Sequence, residues 1–182
     1  MAVALQGGVV DGVPQLLEAG DEAVALVVCA HGTPPPEFLE DVEFHDNLSS
    51  LPRPSSQAFV DLVATAAACF RTLVDAGYYV HVITSGGKRK WTDVLGVGDV
   101  LLRELVRELT IDSFSPAPGA KGTIEVEGLS KTVHDAARHT VARIRKKTVN
   151  HVTVVCAAAA EAADAFQLAS TQCVVDVVDP AA

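Results

Sequence analysis

The residues best suited to chemistry stand where apolar stretches of the chain end. His31-Gly32-Thr33 follows a continuous apolar run, and Ser85-Gly86-Gly87 follows a run of β-branched and aromatic residues. Two glycines let the backbone turn with φ above zero and approach a ligand, and three cations come next, at 88–90. Main-chain N–H groups of such a turn, with a lysine beside them, can hold a phosphate or a carboxylate. We therefore expect an anion site that is formed by Ser85, Gly86, Gly87 and Lys88.

A second polar group follows the alternating run 123–127. Glu127 stands three positions before Ser130, and Thr132 comes shortly afterwards. Ser130 is expected to cap the next helix, and a capped helix N-terminus can face an anionic ligand. In that interpretation Glu127 accepts a hydrogen bond from a ribose or an amine, and Ser130 and Thr132 contribute hydroxyl groups. An exposed strand end and an ordinary helix cap explain the same residues without a ligand.

His31 is the histidine best placed for acid–base chemistry, because it stands at a strand end beside Gly32 and Thr33. His134 and His139 are five positions apart, so they do not share a helical face and make a poor metal pair. The candidate catalytic residues are therefore His31 and Glu127. No spacing of Cys and His residues predicts a metal site.

The elements that must position these residues alternate along the chain. Short apolar runs bounded by turns predict strands over 23–30, 78–84, 123–127, 151–156 and 173–178. Apolar residues at helical spacing predict helices over 57–76, 99–109, 131–147 and 157–169. The predicted fold class is α/β, a three-layer Rossmann-like fold with a mostly parallel sheet of about five strands and helices on both faces.

The length of 182 residues suits a single domain that covers 1–182. Residues 1–22 are interpreted as an N-terminal extension, with a short helix over 13–19. Residues 32–56 form a long, acidic, Pro-rich loop of the kind that often acts as a lid or a binding loop. Ligands of open α/β sheets bind beyond the carboxyl ends of the strands, so the candidate residues are expected to meet at one rim.

The composition narrows the classes of partner. A net charge of −9, from 14 Lys and Arg against 23 Asp and Glu, argues against nucleic acid and anionic membranes. No uninterrupted apolar run is long enough for a membrane span, and no secretory signal is recognisable. Four widely spaced cysteines indicate free thiols rather than a disulfide framework. We expect a cytoplasmic protein with a small anionic molecule as its partner; the sequence does not indicate its oligomeric state.

The order of these motifs resembles the DUF218 family, the YdcF-like proteins. That family has a first strand with a Gly-containing end, a later strand ending in Ser-Gly-Gly, and a strand leading into Glu-x-x-Ser with a Thr after it. The corresponding residues are His31-Gly32, Ser85-Gly86-Gly87, and Glu127 and Ser130 with Thr132, within 23–178. Asp99 stands at a helix start where the family has a Glu. The resemblance implies a Rossmann-like fold and a polar small-molecule site that includes Asp99.

Some members of that family bind S-adenosylmethionine, and others act in bacterial envelope processes. The resemblance therefore implies S-adenosylmethionine or a nucleotide as the bound cofactor or ligand. If the chain is an enzyme, hydrolysis or group transfer on a phosphorylated or adenosyl compound is the expected reaction.

Two alternatives remain. The family has a His and an Arg after its fourth strand, where this chain has alanines at 157–160. The chain is therefore alternatively a non-catalytic binding or interaction protein that kept the fold and lost the reactive residues. His-Gly-Thr after a first strand is also similar to class II tetrapyrrole chelatases, in which a strand-end His binds metal. That alternative is weaker, because no second well-placed His follows.

Overall fold

A computed structural model describes residues 8–11, 23–41, 50–87, 95–111, 124–128, 130–145, 149–169 and 173–182. Its strands are β1 Gly8–Asp11, β2 Ala23–Cys29, β3 Tyr79–Ser85, β4 Ile124–Glu127, β5 His151–Cys156 and β6 Val174–Asp179. Its helices are α1 Gln57–Asp75, α2 Val97–Ile111, α3 Val133–Arg145 and α4 Ala159–Ala169, with a short 3₁₀ helix at Glu37–Asp41.

The strands form one sheet in the order β1-β6-β5-β2-β3-β4, and every pair of neighbours is parallel. Successive side chains of β2 point to opposite faces. Leu26 and Val28 pack with α1 and α2, whereas Ala25 and Val27 pack with α3 and α4. The predicted three-layer α/β class is therefore confirmed. It explains why β2 reads as an unbroken apolar run, since both of its faces are buried.

The sheet has six described strands, one more than expected. The additional strand, β1, lies inside the segment that was interpreted as an extension, and it pairs with β6 at the sheet edge. The helix expected over 13–19 lies outside the described residues. A four-residue strand that contains glycine carries almost no periodic signal, so its pairing with β6 was not predictable from 1–22 alone.

Helix α1 ends as its sequence predicts. Gly77 has a φ of 91°, its amide donates to the Val74 carbonyl at 2.9 Å, and the Tyr78 amide donates to Leu73 at 3.1 Å. These two bonds form a Schellman motif, which turns the chain directly into β3. By length and composition α1 is also apolar enough to cross a membrane. Its buried residues, which include Leu62 and Leu73, nevertheless recur at helical spacing and pack on the sheet.

Candidate functional site

His31 lies in a tight turn at the carboxyl end of β2. The Thr33 amide donates a hydrogen bond to the Ala30 carbonyl at 2.9 Å, which closes the turn. Gly32, the third residue of the turn, has a φ of 85°, which glycine adopts without a side-chain penalty. The His-Gly-Thr sequence is therefore a turn that presents an imidazole at the end of a central strand.

The same turn packs against the start of α4. A Cβ atom on Gly32 would lie 2.9 Å from the main-chain nitrogen of Ala158, closer than real Cβ contacts. The Cys156 thiol, at the end of β5, donates to the His31 carbonyl at 3.3 Å. The chain fills the sheet on one side of β2 before it returns to add β5 on the other side. This junction is therefore the topological switch point, where open α/β sheets bind ligands.

A buried carboxylate joins the ends of β3 and β4. Ser85 and Glu127 are partners in the β3–β4 register, and the Ser85 hydroxyl donates to Oε2 of Glu127 at 3.0 Å. Both residues are completely buried, with 0% of their surface exposed. Moving a carboxylate out of water is costly unless hydrogen-bond donors or charges replace the water. The hydrogen-bond partners of Glu127 are therefore an essential part of its buried environment.

Two further side chains complete the cluster, both from the segment that follows β4. Nδ1 of His139, on α3, lies 2.9 Å from the Ser130 hydroxyl and 3.6 Å from Oε1 of Glu127. Ser130 is completely buried, whereas the His139 side chain is 42% exposed. We call Ser85, Glu127, Ser130 and His139 the Glu127 cluster. In this cluster Nδ1 of His139 faces Ser130 and Glu127, while the side chain as a whole is partly exposed to solvent.

His139 was missed by the sequence reasoning, which considered it only as a metal partner of His134. Its position on α3 carried a usable signal. His139 follows the buried Ala136 by three positions and precedes Arg143 by four, so the three share one side of the helix. Arg143 on that side donates to the Val126 carbonyl at 3.2 Å. A histidine on the side of α3 that faces β4 is thereby brought to Glu127.

His31 lies close enough to this cluster to be affected by its charge. Within the described residues neither ring nitrogen has a hydrogen-bond partner, although both are buried. Burial lowers the pKa of His31 below its ordinary value, and the Ser130 backbone and the Glu127 and Glu161 carboxylates partly oppose that shift. The surroundings of His31 therefore favour its neutral imidazole, which is the form that can accept a proton.

The glycines of Ser85-Gly86-Gly87 have different roles. A Cβ atom on Gly86 would lie 2.6 Å from Cβ of Val97, so Gly86 allows the first turn of α2 to pack against β3. Gly87 has a φ of 99°, and no described residue lies within 4 Å of its Cβ position. Of these two, Gly87 is the one at which a ligand could approach the backbone. Lys88, the predicted anion partner, lies outside the described residues.

Asp99 caps the start of α2 through its side chain. Its Oδ2 accepts a hydrogen bond from the Gly96 amide at 2.7 Å, and its own amide donates to the Gly96 carbonyl at 3.1 Å. A first-turn acidic residue that reaches back to the helix cap is one half of a capping box. The structure thus places Asp99 in a capping role at the start of α2.

The expected cap of α3 was assigned to the wrong residue. The Thr132 hydroxyl accepts the Asp135 amide at 3.1 Å, so Thr132 caps a helix that begins at Val133. Ser130 bonds to His139 instead. The reason is spacing, because an N-cap bonds to the amide two or three positions after it. Thr132 is exposed, whereas Thr33 is buried and its hydroxyl has no partner among the described residues.

Two thiols lie beneath the His31 turn. Cys29 and Cys156 are in-register partners on β2 and β5, and both are free and buried. Their mutual hydrogen bond and burial raise the pKa of Cys29 well above its ordinary value. Burial likewise raises the pKa of Cys69 to about 12. The described residues contain no group of three or more His, Cys, Asp or Glu side chains that could hold a metal ion.

The comparisons with known proteins add no family. No family model matches the chain, and no curated protein and no solved structure matches it significantly. The functional argument therefore depends on the geometry of the site.

The arrangement can move protons. His31 is a neutral base at the switch point, and His139 is an imidazole whose Nδ1 is oriented by Ser130 and Glu127. A carboxylate that orients one nitrogen of an imidazole increases the ability of the other nitrogen to exchange a proton. A Ser-His-Glu nucleophile triad does not fit, because Ser130 and Glu127 both approach the same nitrogen and Ser130 is completely buried.

Proposed function

We propose that this protein binds a small polar molecule, anionic or nucleotide-like, at the carboxyl ends of β2, β3 and β4, and transfers protons there with His31 and His139. The reaction class is hydrolysis or group transfer on a phosphorylated or adenosyl compound. S-adenosylmethionine is one candidate ligand, as the resemblance to the DUF218 family implies. The proposed site consists of the His31 turn, Gly87 and the Glu127 cluster.

The observation that carries the proposal is the complete burial of Glu127 beside a hydroxyl and an imidazole. Apolar residues of similar volume usually stabilise a fold at least as well as a buried ionic group. A carboxylate kept at a strand rim therefore favours a role in positioning. Glu127 is enclosed by its own partners, so its proposed role is to orient His139 and Ser85 rather than to contact the ligand.

The charge of the site constrains the ligand. Two carboxylates, Glu127 and Glu161, act electrostatically on His31. The Lys-Arg-Lys triplet that follows Gly87 in the sequence would supply positive charge for an anionic ligand. Glu161 additionally favours a ligand with a donor or a cationic centre, which is compatible with an adenosyl sulfonium compound.

A second candidate function, ligand binding without catalysis, is favoured by the residues after β5. Ala157 and Ala158 stand at the switch point itself, and Ala158 packs on Gly32. No side chain there can act as an acid, a base or an anion clamp. If the reaction of the DUF218 family needs the His and the Arg that follow its fourth strand, this chain binds the ligand and does not turn it over.

The test is a thermal-shift screen with nucleotides, sugar phosphates, S-adenosylmethionine and divalent metal salts. A ligand at 100 times its dissociation constant stabilises the folded state by about 2.7 kcal/mol, which raises the unfolding midpoint clearly. The shift should shrink in Ser130→Ala and Lys88→Ala. It should persist in His134→Asn, an exposed position on the same helix as His139.

Turnover then separates the two candidates. For a ligand that binds, catalysis predicts product formation that His31→Ala or His139→Asn reduces by about a hundredfold or more while the thermal shift remains. A shift without turnover in the unaltered protein indicates the binding function. The proposal is wrong if no compound shifts the midpoint, or if the shift is unchanged in every variant of the Glu127 cluster and of His31.

A further inference from the structure

A cavity lies on the opposite face of the sheet from α3. It is a groove between α1 and α2 with a volume of about 320 Å³, lined by Arg53, Phe59, Val60, Val63, Glu104 and Glu108 among others. We call it the α1–α2 groove. Its volume is at the lower end of the range for small-molecule sites. None of its lining residues belongs to the His31 turn or the Glu127 cluster.

The polar side of the α1–α2 groove is lined by Arg53, Glu104 and Glu108, and two further arginines contact Glu104 from outside the lining. Glu104 is 4% exposed, and Arg53 binds its Oε2 through Nε and a terminal nitrogen, both at 3.2 Å. Oε1 accepts from Arg103 at 3.0 Å and from Arg107 at 3.3 Å. Three arginines therefore share one carboxylate, in a protein whose net charge is −9.

The arginines that contact Glu104 are not equally accessible to a ligand in the groove. Arg103 is 8% exposed and also donates to the carbonyls of Leu51 and Pro52, at 2.9 and 2.7 Å, so it fastens that segment to α2. Arg53 is 58% exposed and lines the groove. Glu104 therefore holds Arg53 through two of its guanidinium nitrogens, while more than half of the Arg53 side chain is exposed.

The other side of the α1–α2 groove is apolar. Phe59 and Val63 are buried in the core at its base, and Val60 is 44% exposed. An exposed valine beside a cavity with a buried aromatic floor is a surface that water solvates poorly. The groove therefore combines a fixed cation with an apolar wall a few residues away on α1.

We propose that the α1–α2 groove binds a small organic monoanion with an apolar body, such as the carboxylate of an aliphatic or aromatic acid. The guanidinium of Arg53 binds the anionic head, and the apolar body lies against Val60 and Val63. Glu104 acts as the group that positions Arg53. Glu108, one helical turn beyond Glu104, disfavours a second negative charge, so polyphosphates are poor ligands of this groove.

The first probe is anilinonaphthalene sulfonate, a fluorescent anion with an aromatic body. We expect saturable binding with one site per chain, displaced by decanoate. Acetate has the charge without the apolar body, and decanol has the body without the charge. Both should displace the probe at least about tenfold less well than decanoate, since each lacks one of the two contacts.

Three variants locate the binding. Arg53→Gln removes the cation but leaves Arg103 and Arg107 on Glu104, and Val60→Asp places a like charge in the groove; each should weaken probe binding by about tenfold. The matched control is Val106→Asp, because Val106 is 43% exposed on α2 and does not line the groove. It should leave binding unchanged. Circular dichroism and the thermal midpoint report whether each variant is folded.

The proposal is overturned if decanol displaces the probe as well as decanoate, if the folded Arg53→Gln variant binds normally, or if Val106→Asp weakens binding as much as Val60→Asp does. The α1–α2 groove shares no residue with the His31 site. Failure of the groove proposal therefore leaves the proposed function intact, and failure of the ligand screen leaves the groove proposal intact.

Discussion

The environment of His31 favours the neutral form of its imidazole. Both ring nitrogens are buried, and burial lowers the pKa of the ring, although Glu127 and Glu161 oppose the shift with their negative charge. In the unfolded chain the same ring has its ordinary pKa of about 6.5. The unfolded state therefore binds more protons than the folded state in the interval between the two pKa values.

This difference predicts a pH dependence of stability with a definite sign. The contribution of His31 to the free energy of unfolding is fully present above about pH 6.5, and it is lost as the pH falls toward the lower folded-state pKa. His31→Gln should remove this component. The measurement is the urea midpoint of both proteins between about pH 7.5 and 5, with His134→Gln as the control at an exposed position.

The stability of the unaltered protein should fall more steeply with acidification than that of His31→Gln, and His134→Gln should follow the unaltered protein. Parallel curves for His31→Gln and the unaltered protein would show that folding leaves the His31 imidazole as basic as it is in water. That result would also remove the argument that His31 is a neutral base at pH 7.

At the scale of single residues, the sequence predicted the positions of the polar groups more accurately than their hydrogen-bond partners. Its expectation that Ser85 and Glu127 lie at strand ends on one rim agrees with a hydrogen bond of 3.0 Å between them. It did not anticipate that Thr132 rather than Ser130 caps α3, or that His139 reaches Ser130. These contacts depend on where the helix begins, and a shift of two residues changes which side chain can reach an amide.

At the scale of elements, the junction between the His31 turn and α4 depends on close packing of two backbones. Gly32 has a positive φ and lies against the Ala158 main chain, whereas Gly87 has a positive φ with no described residue near its Cβ position. An alanine at either position incurs the backbone strain of that conformation, about 1–2 kcal/mol. Only at Gly32 does the new methyl group also collide with main-chain atoms that cannot rotate away.

The pair Gly32→Ala and Gly87→Ala therefore separates backbone strain from close packing. Gly32→Ala should lower the free energy of unfolding by about 1–3 kcal/mol more than Gly87→Ala, because overpacking adds to the strain. Urea unfolding of both variants gives the comparison. Equal losses would mean that α4 can move away from β2 without cost, and that the switch point is not held by this contact.

The elements themselves were largely predictable, because their signals are local. The helical spacing of the apolar residues in α1 predicted a helix over 57–76, and the Schellman motif at Gly77 ends the helix at that point. Strand β2 was predicted from its unbroken apolar run. The pairing of β1 with β6 is different, since it joins residues about 170 positions apart and no local pattern encodes such a contact.

At the scale of the whole molecule, the sheet order distinguishes two kinds of strand. Strands with two described neighbours are protected from local opening, and strands with one described neighbour are less protected. β2 is paired with β3 on one side and β5 on the other, and helices cover both of its faces. β4 and β1 each have one described neighbour, β3 and β6. The His31 turn follows a protected strand, whereas the Glu127 cluster connects a protected strand, β3, to the edge strand β4.

This asymmetry predicts the order of amide hydrogen exchange. Amides of β2 and β5 should exchange slowest, near the rate set by global unfolding, because they open only when both neighbouring strands separate. Those of β1 and β4 should exchange through local opening. The comparison is made by hydrogen exchange and mass spectrometry of peptides from 23–29, 79–85, 124–127 and 151–156. A ligand bound at the rim should slow exchange at 124–127 most, because that strand has the most protection to gain.

Exchange in 124–127 that already equals that of 23–29 without ligand would mean that β4 is as stable as the centre of the sheet. The Glu127 cluster would then be rigid before any ligand binds, and its hydrogen bonds would act as a permanent link between β3, β4 and α3 rather than as a site that the ligand completes.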